Sequence, residues 1–127
     1  MADDSVYASL GRSLYEDDPL FRDRFDECAE LLKQSSGTDL RGALDASQTT
    51  HRATNTPDIA ASLSQPALFA IQYALRQVLI EMGVRPATFM GRGVGEFVAA
   101  CFAGVFTLED ALVAVAAREQ VLPRLFP

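Results

Sequence analysis

The sequence predicts a mainly α-helical domain with minimal β structure. Apolar residues recur at helical spacing in several long segments, whereas only one short segment has the character of a strand. The chain has 127 residues, of which 49% are hydrophobic and 22% charged, as is typical of a globular protein. This length suffices for one hydrophobic core. We therefore expect residues 1–127 to form a single domain.

The first long helix is predicted over about Pro19–Lys33. Asp18 suits its N-cap and Pro19 its first helical position. The apolar residues that follow have helical spacing and form one face: Phe21, Phe25, Cys28 and Leu32. Charged residues occupy the other face, which indicates a surface helix. A short helical segment is also predicted over Leu40–Leu44.

The only histidine and the two cysteines are weak candidates for catalysis. His51 lies in Ala46–Asp58, a segment rich in Ser, Thr, Asn and Pro that predicts a mobile loop without a nucleophile at hand. Cys28 and Cys101 lack C-x-x-C spacing and fall in predicted helices. We expect a solvated histidine and two small buried hydrophobic side chains, with no metal site and no cofactor.

The most apolar segment predicts a central helix over about Gln65–Met82. Ser64 is its expected N-cap, Pro66 lies in its first turn, and Gly83 ends it. Apolar side chains cover most of its circumference, which predicts burial on several sides.

The remaining segments predict a strand and two helices. Ala87–Met90 has strand character, and a helix is expected over about Gly95–Ala103. Thr107 and Asp110 resemble a capping box that starts the last helix, which we expect to end at Pro123. A lone strand cannot satisfy its backbone groups, so it is either a linker or pairs with another chain.

Gly91-Arg92-Gly93-Val94-Gly95, between this strand and the next helix, has the layout of a nucleophile elbow. Its central position is Gly93, whereas an acyl-enzyme requires a hydroxyl or thiol there. The glycines would also suit a phosphate-binding loop, but Glu96 stands where the third glycine of a dinucleotide fingerprint belongs and would repel phosphate. The pattern therefore favours an elbow without a nucleophile.

Composition narrows the function classes further. A net charge of −6 and a pI near 4.6 disfavour nucleic-acid binding, since the scattered arginines form no basic patch. No apolar run reaches the ~20 residues that a bilayer span requires. The acidic start, with Asp3 and Asp4, lacks the features of a secretory signal. A cytoplasmic protein is expected.

Three blocks of sequence resemble one enzyme family. The first block is Leu10–Glu16 with Pro19–Arg22 and Asp26–Cys28, the second runs from Ser64–Ala70 through Gly83–Pro86, and the third is Gly91–Arg118. Gly95–Ala100 and Ala103–Leu112 are the most specific parts. The chain resembles the acyltransferase domains of polyketide synthases and the malonyl-CoA:acyl carrier protein transacylases, over the N-terminal part of that domain. The resemblance implies a single truncated domain with a partial α/β-hydrolase-like fold, equivalent to the family's large subdomain.

The resemblance also assigns candidate site residues. The family's elbow usually reads G-H-S-x-G-E, so its nucleophilic serine falls on Gly93 and the preceding histidine on Arg92. Gln65 matches a glutamine near the acyl pocket, and Arg118 matches the arginine that grips the malonyl carboxylate. The family's oxyanion loop and catalytic histidine find no match in these residues. An ordinary helix-surface arginine is the alternative for Arg118, and attraction of CoA phosphates is the alternative to loss of function for Arg92.

These assignments favour a catalytically inactive acyltransferase-like protein of polyketide or fatty-acid biosynthesis that acts as a binding or scaffold piece. An acyl carrier protein, a synthase domain or an acyl-CoA such as malonyl-CoA is the implied partner. Two alternatives stay open. The chain is one half of a split transferase completed by a partner chain, or it is a non-functional fragment of a larger synthase.

Overall fold

The computed structural model describes residues 4–37, 39–42, 64–85, 88, 90, 91 and 93–125. The long helices in this part are α1 (Asp4–Asp17), α2 (Pro19–Ser36), α3 (Gln65–Glu81), α4 (Val94–Phe102) and α5 (Leu108–Leu125). Residues 40–42 are also helical, and none of the described residues lies in a strand. The expectation of a mainly α-helical fold is confirmed.

Helix α1 covers residues for which the sequence pattern predicted no element. Gly11 lies in its middle and lowers its intrinsic helix propensity. The structure explains this glycine, because a Cβ atom at Gly11 would lie 2.8 Å from Cδ1 of Ile71 in α3. The missing side chain therefore lets α1 approach α3 closely.

Helix α2 begins after the predicted N-cap, Asp18, and ends at Gly37. The side chain of Asp18 accepts hydrogen bonds from the backbone N–H groups of Leu20 and Phe21 at 3.0 and 3.1 Å. Gly37 ends the helix with φ 76° and donates its N–H to the carbonyl of Lys33. The helix thus continues to Ser36, three residues beyond the predicted end.

Helix α3 packs against each of the other four helices. Ser64 caps it by accepting from the N–H of Ala67 at 3.2 Å, and Gly83 follows its end with φ 100°. The largest fully buried side chains come mainly from α2, α3 and α5: Phe21, Phe25, Leu32, Phe69, Ile71, Leu112 and Val115. The core therefore surrounds α3, as its apolar circumference predicted.

A polar contact ties α1, α2 and residues 40–42 together outside this core. Asp26 accepts from the Tyr15 hydroxyl at 2.9 Å and from Nε of Arg41 at 2.8 Å. Burial raises the pKa of Tyr15, and the hydrogen bond to Asp26 raises it further. The phenol therefore stays protonated and keeps donating to Asp26.

The last helix and the predicted strand also differ from the sequence predictions. The last helix is capped at Thr107, whose hydroxyl accepts from the N–H of Asp110 at 3.1 Å, but it continues through Pro123 to Leu125 instead of ending there. Proline removes one N–H and crowds the preceding turn, a modest cost so close to a helix end. The predicted strand is wrong at Thr88 and Met90, because the described residues offer no neighbouring strand to pair with.

Several predictions fall on residues outside the described part: the mobile loop over 46–58 with His51, and Ala87 and Phe89 of the strand. Cys28 is fully buried as predicted, whereas Cys101 is only half-buried. None of the helices in the described ranges combines the length and apolarity needed to cross a bilayer.

Removing a large side chain from the core should destabilise the protein strongly. Phe69 is fully buried in α3, so Phe69→Ala is expected to lower the free energy of unfolding by about 3–5 kcal/mol through lost burial and a residual cavity. Urea denaturation followed by circular dichroism measures this. Leu125→Ala is the control, because Leu125 is 64% exposed and its change should stay within about 0.5 kcal/mol. Equal effects would contradict the central position of α3.

Candidate functional site

The turn that leads into α4 has an unusual backbone. Gly93 is the N-cap of α4 and has φ 59° and ψ −126°, a conformation that residues with a side chain rarely adopt. All described residues with positive φ are glycines. A nucleophile elbow is a sharp turn into a helix in which the central residue is strained. The turn at Gly93 has a backbone conformation that would strain a residue with a side chain and that glycine adopts without that cost.

The flanking glycines let the turn fold tightly onto α4. A Cβ atom on Gly91 would overlap the backbone carbonyl of Gly95. Gly95 is buried, and a Cβ atom on it would come 3.3 Å from Oε1 of Gln72 in α3. The N–H of Glu96 donates to the carbonyl of Gly93 at 3.1 Å and closes the first turn of the helix. Close packing of backbone therefore requires glycine at position 91, whereas a Cβ atom at position 95 would ask only a small shift of the Gln72 side chain.

The central position, Gly93, has room for a side chain but supplies no reactive group. A Cβ atom on Gly93 would meet nothing within 4 Å, so a side chain there would project into open space, as a nucleophile must. Glycine places no hydroxyl or thiol at this point. Arg92, the other degenerate position of the elbow, lies outside the described residues.

The two residues assigned to substrate binding lie in contact. Nη1 of Arg118 in α5 donates to Oε1 of Gln65 at the start of α3, over 3.2 Å. The residues are 53 positions apart in sequence, so the fold brings them together. Both side chains are half-buried, and among the described residues no carboxylate lies within salt-bridge distance of Arg118. Its positive charge is therefore held by an amide and left uncompensated there.

Glu119 also belongs to this contact and carried no signal in the sequence. Its Oε1 accepts from the backbone N–H of Gln65 at 2.9 Å. Side chains of successive residues on a helix diverge, and a sequence pattern does not reveal that Arg118 and Glu119 converge on one residue of another helix. Only the packing of α5 against α3 reveals it.

One stripe of α3 reaches both parts of the site. Gln65 contacts Arg118, Gln72 lies against Gly95, and Nη2 of Arg76 donates to the carbonyl of Met90 at 3.1 Å. Positions seven and eleven residues after Gln65 return to nearly the same side of a helix. Along this stripe, Arg76 therefore holds the segment before the turn and Gln65 holds Arg118. No hydrogen bond joins Arg118 directly to the described residues of the turn.

The surroundings of Cys101 do not favour a nucleophilic thiolate. Burial raises the pKa of its thiol, and the charge of Glu27 raises it further. A nucleophilic cysteine requires the opposite shift, because the thiolate is the reactive form. Burial raises the pKa of Cys28 in the same direction.

The model of a protein family described as the acyl transferase domain matches residues 5–127. The chain belongs to the acyl transferase domain family. The resemblance seen in the sequence is thereby confirmed, and the elbow-like turn at Gly93 lies at the position where this family is expected to carry its nucleophile.

Relatives within this family come from polyketide biosynthesis. Over 116 residues the chain is 34% identical to one of the phenolphthiocerol/phthiocerol polyketide synthase proteins of Mycobacterium tuberculosis, covering 91% of this chain and 7% of the synthase. It is 40% identical to the spectinabilin polyketide synthase system protein NorB of Streptomyces orinoci, covering 91% of this chain and 5% of NorB. The chain thus spans less than a tenth of these relatives.

The fold also matches a solved structure, that of the acyl transferase domain of ZmaA. The TM-score is 0.72 and the sequence identity 36%, over 88% of this chain and 26% of the other. The helical arrangement is therefore a partial acyltransferase fold.

The turn glycines should respond differently to substitution. Gly93→Ala is expected to cost about 1–3 kcal/mol through backbone strain alone, because its Cβ meets no neighbour. Gly91→Ala should cost more, because its Cβ overlaps the backbone of Gly95 and the turn must move away from α4. Urea denaturation of both variants tests the order. Gly37→Ala, with φ 76° at an exposed helix end, is a matched control for the cost of positive φ. The reverse order would contradict the close packing at Gly91.

Proposed function

We propose that this chain is a non-catalytic acyltransferase-like unit of polyketide biosynthesis. It binds a carboxylated acyl group of the malonyl-CoA type through Arg118 and Gln65 and docks onto a synthase or its acyl carrier protein. The observation that carries the proposal is Gly93, which occupies the nucleophile position of an elbow-like turn without a side chain.

Acyl transfer through an acyl-enzyme requires an atom that forms the ester or thioester bond. Position 93 supplies none, and the raised pKa of Cys101 keeps the nearest thiol in this helix protonated. These features support binding without transfer.

Arg118 supports recognition of a carboxylate. A guanidinium presents five N–H donors in a planar fork. The contact with Gln65 engages one nitrogen, and no other described residue accepts a hydrogen bond from the Arg118 guanidinium. Its charge is not neutralised by any described carboxylate within 4.0 Å. A partly desolvated arginine held by an amide binds a carboxylate more strongly than a solvated, ion-paired one does.

Docking is supported by exposed apolar side chains around α4. Met90 before it is 80% exposed, and Val105 after it is 70% exposed, while Phe106 is 38% exposed and stacks on Phe97. Exposed apolar groups of this kind mark interaction surfaces when they are contiguous. The matched relatives are components of polyketide synthase systems, which makes a synthase component the fitting partner.

Binding of malonyl-CoA should depend on Arg118. Isothermal titration calorimetry is expected to show that malonyl-CoA binds at least about tenfold more tightly than acetyl-CoA, because only malonyl-CoA offers a carboxylate to the guanidinium. Arg118→Ala should remove that difference. Arg124→Ala is the control, because Arg124 is exposed in the last turn of the same helix. Equal affinity for both ligands would contradict the proposal.

Transfer chemistry should be absent. Intact-protein mass spectrometry after incubation with malonyl-CoA is expected to show no covalent adduct on the chain, with or without an acyl carrier protein. Gly93→Ser should remain unmodified as well, since a hydroxyl without a general base is a poor nucleophile. Size-exclusion chromatography of the same mixture tests for a complex with the carrier protein. A malonylated chain would overturn the non-catalytic proposal, and malonyl transfer appearing only with a partner chain would favour the split transferase.

A further inference from the structure

The first residue of α3 is held from α5 at two points. Gln65 donates its backbone N–H to Oε1 of Glu119 at 2.9 Å, and its side-chain oxygen accepts from Nη1 of Arg118 at 3.2 Å. Arg118 and Glu119 are neighbours in α5. The backbone and the side chain of one residue are therefore fixed by two successive residues of another helix.

One backbone N–H at the start of α3 finds its hydrogen-bond acceptor in Glu119. The N–H groups in a first helical turn lack partners within the helix. The Ser64 hydroxyl accepts from the N–H of Ala67, and the Ser64 carbonyl accepts from the N–H of Leu68. Pro66 has no N–H. The N–H of Gln65 is the remaining donor, and Glu119 accepts it. Glu119 thus completes the capping of α3 at the residue whose side chain holds Arg118.

We propose that Glu119 is a positioning residue for the acyl-carboxylate site, an inference that rests on the proposed function of Arg118. Glu119 fixes the backbone of Gln65 and hence the direction in which its amide projects. The amide then holds one nitrogen of Arg118, which restricts the guanidinium before a ligand arrives. Ordering the binding group in advance improves affinity, because less conformational freedom is lost on binding.

The charge of Glu119 is not needed for this task. Glu119 acts as an acceptor for a backbone N–H, and its carboxylate is not within 4.0 Å of the Arg118 guanidinium nitrogens. Glutamine has the same length and keeps an acceptor oxygen. Glu119→Gln should therefore preserve the position of Arg118, whereas Glu119→Ala should release it.

The first measurement uses the ligand-free chain. Proton–nitrogen NMR of the arginine side chains reports whether the Arg118 guanidinium is held or rotates freely, with Arg118→Ala used to assign its signal. Glu119→Ala is expected to give a freely rotating guanidinium, and Glu119→Gln one that is held as in the native chain. Ser64→Ala is the matched control, since it weakens the same helix end but leaves Gln65 and Glu119 in place. An Arg118 signal unchanged in Glu119→Ala would overturn the inference.

The second measurement is malonyl-CoA affinity for the same variants. Glu119→Ala should weaken binding about fivefold, while Glu119→Gln and Ser64→Ala stay close to the native value. Equal weakening in Glu119→Ala and Ser64→Ala would mean that Glu119 is only a helix cap and would overturn the inference. If the native chain does not bind malonyl-CoA, the proposed function fails, and the NMR comparison still decides whether Glu119 positions Arg118.

Discussion

The burial of α3 is the constraint on which the rest of the structure depends. This helix contacts each of the other long helices, and its residues Phe69, Ala70 and Ile71 are fully buried. Burial on several sides contributes much of the hydrophobic stabilisation available to a chain of this size. The other long helices also pack on one another, but α3 is the one that contacts all four of the others. The close approach at Gly11 shows how tightly one of them fits.

The polar side chains of α3 project from a helix that the core holds in place. Gln65, Gln72 and Arg76 lie along one side of the helix. Gln65 and Arg76 form hydrogen bonds with Arg118 and Met90, and Gln72 stands where a side chain on Gly95 would come close to it. Each contact joins α3 to a part of the chain far away in sequence. A side chain on a rigid, buried helix places its partner more precisely than one on a loop does. The helix that organises the core therefore also sets the geometry of the candidate site.

Much of the fold could be predicted from the sequence because local signals agreed with packing. Asp18, Ser64 and Thr107 each precede an apolar periodic segment, and each caps a helix in the structure. The sequence pattern did not predict helix α1. Gly11 lowers the local helix propensity, and its place in the helix is explained by the close approach of Ile71 in α3. The expected helix end at Pro123 was wrong. The missing N–H and the steric crowding of a proline cost little so close to a helix end, and the helix continues to Leu125. At the candidate site, the glycine motif pointed to Gly93 and the family resemblance to Arg118, and both assignments stay predictions. Glu119 depends on a contact between residues 54 positions apart, which no local pattern encodes.

The backbone conformation at Gly93 makes glycine easier to keep at this position than serine. In an acyltransferase with this turn, the serine occupies a strained conformation at a cost of about 1–3 kcal/mol, and other interactions must offset it. Glycine removes that strain and gives back only about 0.5–1 kcal/mol through greater freedom of the unfolded chain. A lineage that exchanges serine for glycine here gains stability as it gives up chemistry. Any later return to serine would bring back a strain of about 1–3 kcal/mol.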